Sequence, residues 1–209
     1  MNFIKFIQDG GFFMYPILLV GVLGIAIVVE RIIFLNKIKK QNQALWSRVQ
    51  PEISNGQLAT ALRTAKEDDS EVGRVLDYGL SAATAGADMD HVESALEEGL
   101  LESMPRLEAR TTYVATFANI ATLLGLLGTV QGLISAFESV ANADPAAKGD
   151  LLSAAISVAM NTTAFGLGMA IPLLLAYTFL QNYTQQVVES IEMISMKVQN
   201  QIRQLRRAP

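Results

Sequence analysis

Three stretches of this 209-residue chain contain no Asp, Glu, Lys or Arg: Phe12 to Val29, Thr111 to Phe137, and Leu151 to Val188. A helix needs about 20 mostly apolar residues to cross the ~30 Å hydrocarbon core of a bilayer, and each stretch is about long enough. Helices of that length in a soluble bundle keep a charged face; these have none. Charged residues make up 17% of the chain, below the roughly 25% of soluble domains, and the shortfall falls in these stretches. The reading is an all-α, polytopic membrane protein with three transmembrane helices. The first stretch is expected to be a retained helix. Only Lys5 precedes it as a basic residue, and Glu30-Arg31 with further apolar residues follows it where a leader would have small residues.

Flanking charge sets the orientation. Arg31, Lys37, Lys39 and Lys40 follow the first span, and Lys197, Arg203, Arg206 and Arg207 follow the third. The connection between spans two and three carries three acids and Lys148. The expected layout is a periplasmic N-terminus over 1–11, span one over 12–35 and a cytoplasmic helical insert over 36–110. Span two then covers 111–137, a periplasmic hairpin 138–150, span three 151–180 and a cytoplasmic C-terminal helix 181–209. Asn142, Asp144, Pro145 and Gly149 suit the hairpin turn.

The insert reads as short helices over 57–66 and 71–80, separated by the acidic turn Glu67-Asp68-Asp69. From Asp88 onward, Met89, Val92, Leu96, Leu100, Met104 and Leu107 recur at three or four, the spacing of an amphipathic helix. That helix is expected to run on into the second span, with Pro105 as a possible kink. Val187, Ile191, Ile194, Val198, Ile202 and Leu205 repeat the pattern after the third span. The uncharged third stretch alone would reach roughly 57 Å at 1.5 Å per residue, so helices two and three should extend into the cytoplasm. Their apolar stripes imply packing within the chain and between copies of it.

Several function classes have no support. Cysteine is absent, which removes disulfides and thiolate metal sites. His91 is the one histidine, and a zinc site needs three or four ligands, so no metal site is expected. No basic cluster interleaved with aromatics points to nucleic acid. No nucleophile–base pair or phosphate loop points to an enzyme, so no catalytic residue is assigned.

The intramembrane residues carry the functional information. In the second span Thr122, Gly125, Thr129, Gly132 and Ala136 form one small or polar stripe, and Gly128 and Gly132 make a GxxxG pair, which permits close helix approach in lipid. Gln131 is a costly amide in hydrocarbon unless it is paired or reaches water. In the third span Ser153, Ser157 and Asn161 share a face while Thr163 lies round the helix, so protein or a pore should surround it. Pro172 frees the carbonyl of Gly168, tolerable where neighbours or water satisfy it. Spans two and three hold no Asp, Glu, His, Lys or Arg. A proton relay needs such a group, so it would have to come from another chain. A sodium path could use hydroxyls and carbonyls directly.

The stretch Leu124-Gly-Leu-Leu-Gly-Thr-Val-Gln-Gly132 resembles the LGLLGTVxG motif of the ExbB/TolQ/MotA proton-channel family. Asn161-Thr-Thr-Ala-Phe-Gly-Leu-Gly-Met-Ala-Ile-Pro172 resembles that family's third-helix motif, and Glu30-Arg31 and the three-span layout are also similar. The ExbB/TolQ branch is the nearer, because MotA-type subunits have four spans. The resemblance implies a homopentameric ring acting as the channel, or stator, subunit of an ion-motive-force-driven motor in the bacterial inner membrane. It implies a dimer of a single-span ExbD/TolR-like partner supplying a membrane aspartate, and onward coupling through a TonB- or TolA-like protein. Nutrient uptake and Tol-type envelope work are the loads it suggests. No cofactor is implied beyond the translocated H+, or Na+ in a variant. It makes Thr129 and Thr163 pore-facing, with Asn161 and Thr162 as further pathway candidates, and makes Gly125, Gly128 and Gly166 close-packing positions beside Gly132. Two positions depart from the pattern. Val158 stands where many relatives have a glutamate, and Thr122 stands where a proline is common. The first keeps sodium coupling open, and a passive scaffold without an ion path is the alternative of a different class.

Overall fold

A computed structural model describes residues 6–7, 10–141 and 143–207, and among these all regular structure is α-helical. The helices are α1 (Met14–Ser54), α2 (Leu58–Lys66), α3 (Glu71–Thr84), α4 (Met89–Glu108), α5 (Thr111–Ala141) and α6 (Lys148–Arg207). Three runs are long and apolar enough to cross a membrane: α1, the run from Met89 to Ala141, and α6. Lys5 and Asn142, and with them parts of the expected N-terminal segment and hairpin, lie outside the described residues.

Two details at the ends of α5 differ from the expected pattern. α4 does not run into α5; the chain breaks at Ala109 and Arg110, and Arg110 takes a φ of 64°. Pro105 sits inside α4, which continues past it to Glu108. The left-handed Arg110 is accompanied by a tertiary contact, its guanidinium lying 3.6 Å from the Glu30 carboxylate. The second difference is at the hairpin, where α5 extends to Ala141 and α6 begins at Lys148. The helical backbone thus outruns the apolar sequence at both ends of the connection.

The chain forms two compact units. One contains Met1–Glu30 and Arg110–Leu180, and its buried positions are mostly small. On α5 they are Thr111, Val114, Ala118, Ala121, Gly125, Gly128 and Ala136; on α6 they include Ala159, Thr162, Gly166 and Ala170. Many of its large side chains point outward, with Leu19, Leu123 and Leu175 each more than 60% exposed, while Met14, Ile17, Phe165, Leu173 and Leu180 are buried. That inverts the pattern of a soluble core and suits lipid. In hydrocarbon, apolar bulk gains nothing by hiding, and association relies on close backbone packing.

The other unit, Arg31–Ala109 and Gln181–Pro209, follows the rule for water. Leu35, Ile38, Leu45, Val49 and Ile53 of α1 are buried, as are Val187, Ile191, Ile194, Val198 and Ile202 of α6. These are aliphatic stripes at three-and-four spacing, driven by removal of apolar surface from water. Helix ends are closed locally. Ser70 and Asp88 accept hydrogen bonds from the N–H groups of Gly73 and His91, the usual N-cap device. Buried Asn42 accepts another from Val72 N–H at 3.2 Å. Gly56 and Gly86, at φ 77° and 80°, end α1 and α3 in the left-handed turn that glycine adopts without a Cβ penalty. α3 therefore continues to Thr84, past the expected end at Leu80. The expected acidic turn is tied down: Glu67 pairs with Arg63 and Asp68 with Arg48. Arg31 is buried and donates to the carbonyl of Leu107.

Tyr78 donates its hydroxyl to Glu102 across α3 and α4, and that hydrogen bond, with the charge of Glu102, raises its pKa above the usual tyrosine value. The folded-state pKa exceeds the unfolded one. The bond's contribution is therefore fully present below the usual tyrosine range and is lost as pH rises through the raised value. Ultraviolet titration of tyrosinate should show one residue ionising late, and Glu102→Gln should shift that residue to lower pH. An unchanged curve would remove this contact from the account.

A hydroxyl cluster at the seam of two membrane helices

α5 and α6 meet along a line of small residues. A Cβ added to Gly166 would lie 2.7 Å from the Ala121 carbonyl oxygen and 3.0 Å from Gly125 Cα. One added to Gly125 would lie 3.3 Å from the Cα atoms of Gly166 and Thr163. Gly128 faces the Thr162 side chain and Gly132 faces Ala159, with added Cβ atoms at 2.4 and 2.8 Å respectively. All four glycines therefore occupy the seam. Gly168 does not; nothing lies within 4 Å of its added Cβ.

This approach brings two threonines together. Thr163 of α6 reaches the Gly125 carbonyl at 2.9 Å, and Thr129 of α5 reaches the same oxygen at 3.1 Å. The two hydroxyls also contact each other. Three contacts share two protons, so at any instant one hydroxyl donates to the carbonyl and the other donates to its neighbour or to that same oxygen. The proton order can reverse without moving a heavy atom, and lone pairs remain to accept from water or from a group on another chain. Both threonines are half-buried.

The neighbouring candidates are placed differently. Thr162 is buried, and its hydroxyl lies 2.8 Å from the Gly10 carbonyl and 3.0 Å from the Val158 carbonyl. It fastens the segment before α1 to α6, and its hydroxyl is spent on these two carbonyls rather than on the Thr129–Thr163 pair. Asn161 is half-buried and forms no side-chain hydrogen bond among the described residues. Gln131, Val158 and Thr162 instead line a cavity of about 290 Å³ beneath Gly10, Gly11, Phe12 and Phe13. The Gly10–Thr162 bond had no signal in the sequence beyond the adjacent glycines 10 and 11, the second of which has a φ of 83°. Pro172 is exposed on α6; lacking an N–H, it leaves the Gly168 carbonyl without its helical donor. Among the described residues no group of His, Cys, Asp and Glu could hold a metal ion.

The description of the MotA/TolQ/ExbB proton channel family matches residues 67–193, more than half of the chain. The chain belongs to this family. It is a multi-pass membrane protein by family and by its three long apolar helices. A biopolymer transport protein ExbB homologue of Methanothermobacter thermautotrophicus is 28% identical over 193 residues, covering 91% of this chain and 67% of the relative. An ExbB-like biopolymer transport protein of Synechocystis is 28% identical over 179 residues, 85% of this chain and 84% of its own. The Tol-Pal system protein TolQ of Haemophilus influenzae is 34% identical over 83 residues, 40% of this chain and 36% of its own.

The seam yields a paired expectation. Gly166→Ala places a methyl against backbone that has no side-chain freedom to yield, and overpacking of this kind costs about 1–3 kcal/mol. Gly168→Ala enters open space and gains helix propensity of up to about 1 kcal/mol. Thermal unfolding in mild detergent should show a lowered midpoint for Gly166→Ala only. Equal behaviour of the two variants would contradict the seam.

Proposed function

We propose that this chain is the ring-forming channel subunit of an ion-motive-force-driven motor. Copies of it form a homopentamer in the bacterial inner membrane, N-terminus outside and C-terminus in the cytoplasm. A dimer of a single-span ExbD/TolR-like protein occupies the centre and supplies a membrane aspartate. A TonB- or TolA-like protein carries the work to the periplasm or outer membrane. The observation that carries this reading is the Thr129–Thr163–Gly125 cluster in a unit whose apolar stretches hold no Asp, Glu, His, Lys or Arg. Hydroxyls and a carbonyl can hold water and orient an incoming carboxylate, but none of them stores a proton near neutral pH. The site is therefore half of a relay, completed by an acid from another chain. Names of relatives containing ExbB and TolQ point the same way.

Valine matches threonine in shape and lacks the hydroxyl. Thr129→Val and Thr163→Val should each lower ion-driven work by roughly tenfold or more, the factor that one to two lost hydrogen bonds near 1 kcal/mol each can make. Native mass spectrometry of the purified assembly should still give five copies with two of a small single-span protein. Thr162→Val should act on thermal stability, since that hydroxyl fastens Gly10. Full activity in both variants would overturn the pore assignment of Thr129 and Thr163.

Sodium coupling is a second reading, favoured by Val158 in place of an acid and by three oxygen atoms gathered at one point. Hydroxyl and carbonyl oxygens can ligate sodium directly. Replacing sodium by choline separates the two: proton-driven work continues and sodium-driven work stops.

A further inference from the structure

In the polar unit, α4 and α6 enclose a groove of about 260 Å³. Its apolar lining is Leu96, Leu100 and Met196, and three carboxylates edge it: Glu93, Glu97 and Glu192. None of the three forms an ion pair among the described residues, whereas Arg48, Arg63, Lys66, Arg106 and Arg110 all do. The groove is thus an apolar slot with uncompensated negative charge. The next face of α6 has the opposite character. At about 100° per residue, Met193 and Lys197 lie one turn apart on a side well round from the groove. Met193 is 52% exposed, and exposed Lys197 has no ion pair among the described residues.

We infer that this groove receives the Met193–Lys197 face of α6 from a second copy of the chain, so that copies join head to tail through their polar units. The inference rests on the ring proposed above and assigns a seam to it. Two arguments choose a second copy. The first is complementarity: an apolar knob followed one turn later by a cation meets an apolar slot edged by Glu93 and Glu97. The second is depth. Copies related by rotation about the membrane normal present equal residues at equal depth, so a ring contact must join parts at one level. The groove and the Met193–Lys197 face lie on the same two turns of α6 and meet that condition without a shift along the normal. Because the two surfaces are different, the contact is heterologous, the kind that closes into rings rather than stopping at a dimer.

The chain has no cysteine, which makes the test direct. Glu97→Cys is placed in a chain with one tag and Met193→Cys in a chain with a longer tag. The two are co-expressed in the native host and oxidised mildly in the membrane. A disulfide requires Cβ atoms about 3.5–4.5 Å apart, so only contact gives a product. The expected result is a linked species carrying both tags, little product from either chain alone, and a ladder from the double variant in one chain. Lys197→Glu should deplete the mixed species, and adding Glu93→Lys should restore it. Absence of the mixed species in an assembly whose native mass is still multimeric would overturn the seam and leave the proposed function standing. So would linkage of Glu97→Cys to a different protein, or Met193→Cys pairs alone. A monomeric native mass would overturn both.

Discussion

The close approach of α5 and α6 at Gly125 and Gly166 is the contact on which the candidate site depends. With no Cβ on either residue, the backbones come near enough for Thr163 to reach a carbonyl of the facing helix. That carbonyl already accepts from Thr129 on its own helix, so close packing and hydroxyl clustering have one geometric cause. A side chain at either glycine would separate the helices and disperse the three oxygen atoms together. The seam relies on small residues because lipid supplies no hydrophobic force between helices, and van der Waals contact and hydrogen bonds must serve. In the polar unit the same two-helix problem is solved with leucine, isoleucine and valine, because there water does the driving.

Much of this was legible in the sequence. Three uncharged stretches gave three long helices, and three-and-four spacing gave most of the buried face of α6 beyond the third span but only Val92, Leu96 and Leu107 of α4, whose buried face is completed by Gly99 and Ser103. The glycine- and threonine-rich motifs pointed to the family. What could not be read were features set by residues far apart in the chain. The break at Arg110 falls in a stretch with good helix formers, and its partner Glu30 lies eighty positions earlier. Asn161, Thr162 and Thr163 are consecutive, so no periodicity says which of them sends a hydroxyl to a carbonyl of α5. The contact of Thr162 with Gly10 separates them. The end of α3 had a usable signal in Gly86, which marks a left-handed cap that apolar periodicity does not register.

The chemistry follows from what the apolar unit lacks as much as from what it holds. A carboxylate buried in hydrocarbon is expensive, and the second and third spans of this chain hold none. It offers a pair of hydroxyls whose protons can reverse direction and a carbonyl with two donors. Such a cluster responds to a charge brought to it and does nothing without one. In the proposed assembly, division of labour between a relay-free ring and an acid-bearing centre would keep either chain alone from leaking the gradient.

That division can be measured. Purified chain would be reconstituted into vesicles alone and, separately, together with the proposed single-span partner. Proton entry under an imposed gradient would then be followed with an enclosed pH dye. The account predicts that the chain alone leaves the vesicles as tight as protein-free ones, and that entry appears only with the partner and its membrane aspartate. Rapid entry through the chain alone would contradict it, because the ring would then hold a complete relay of its own.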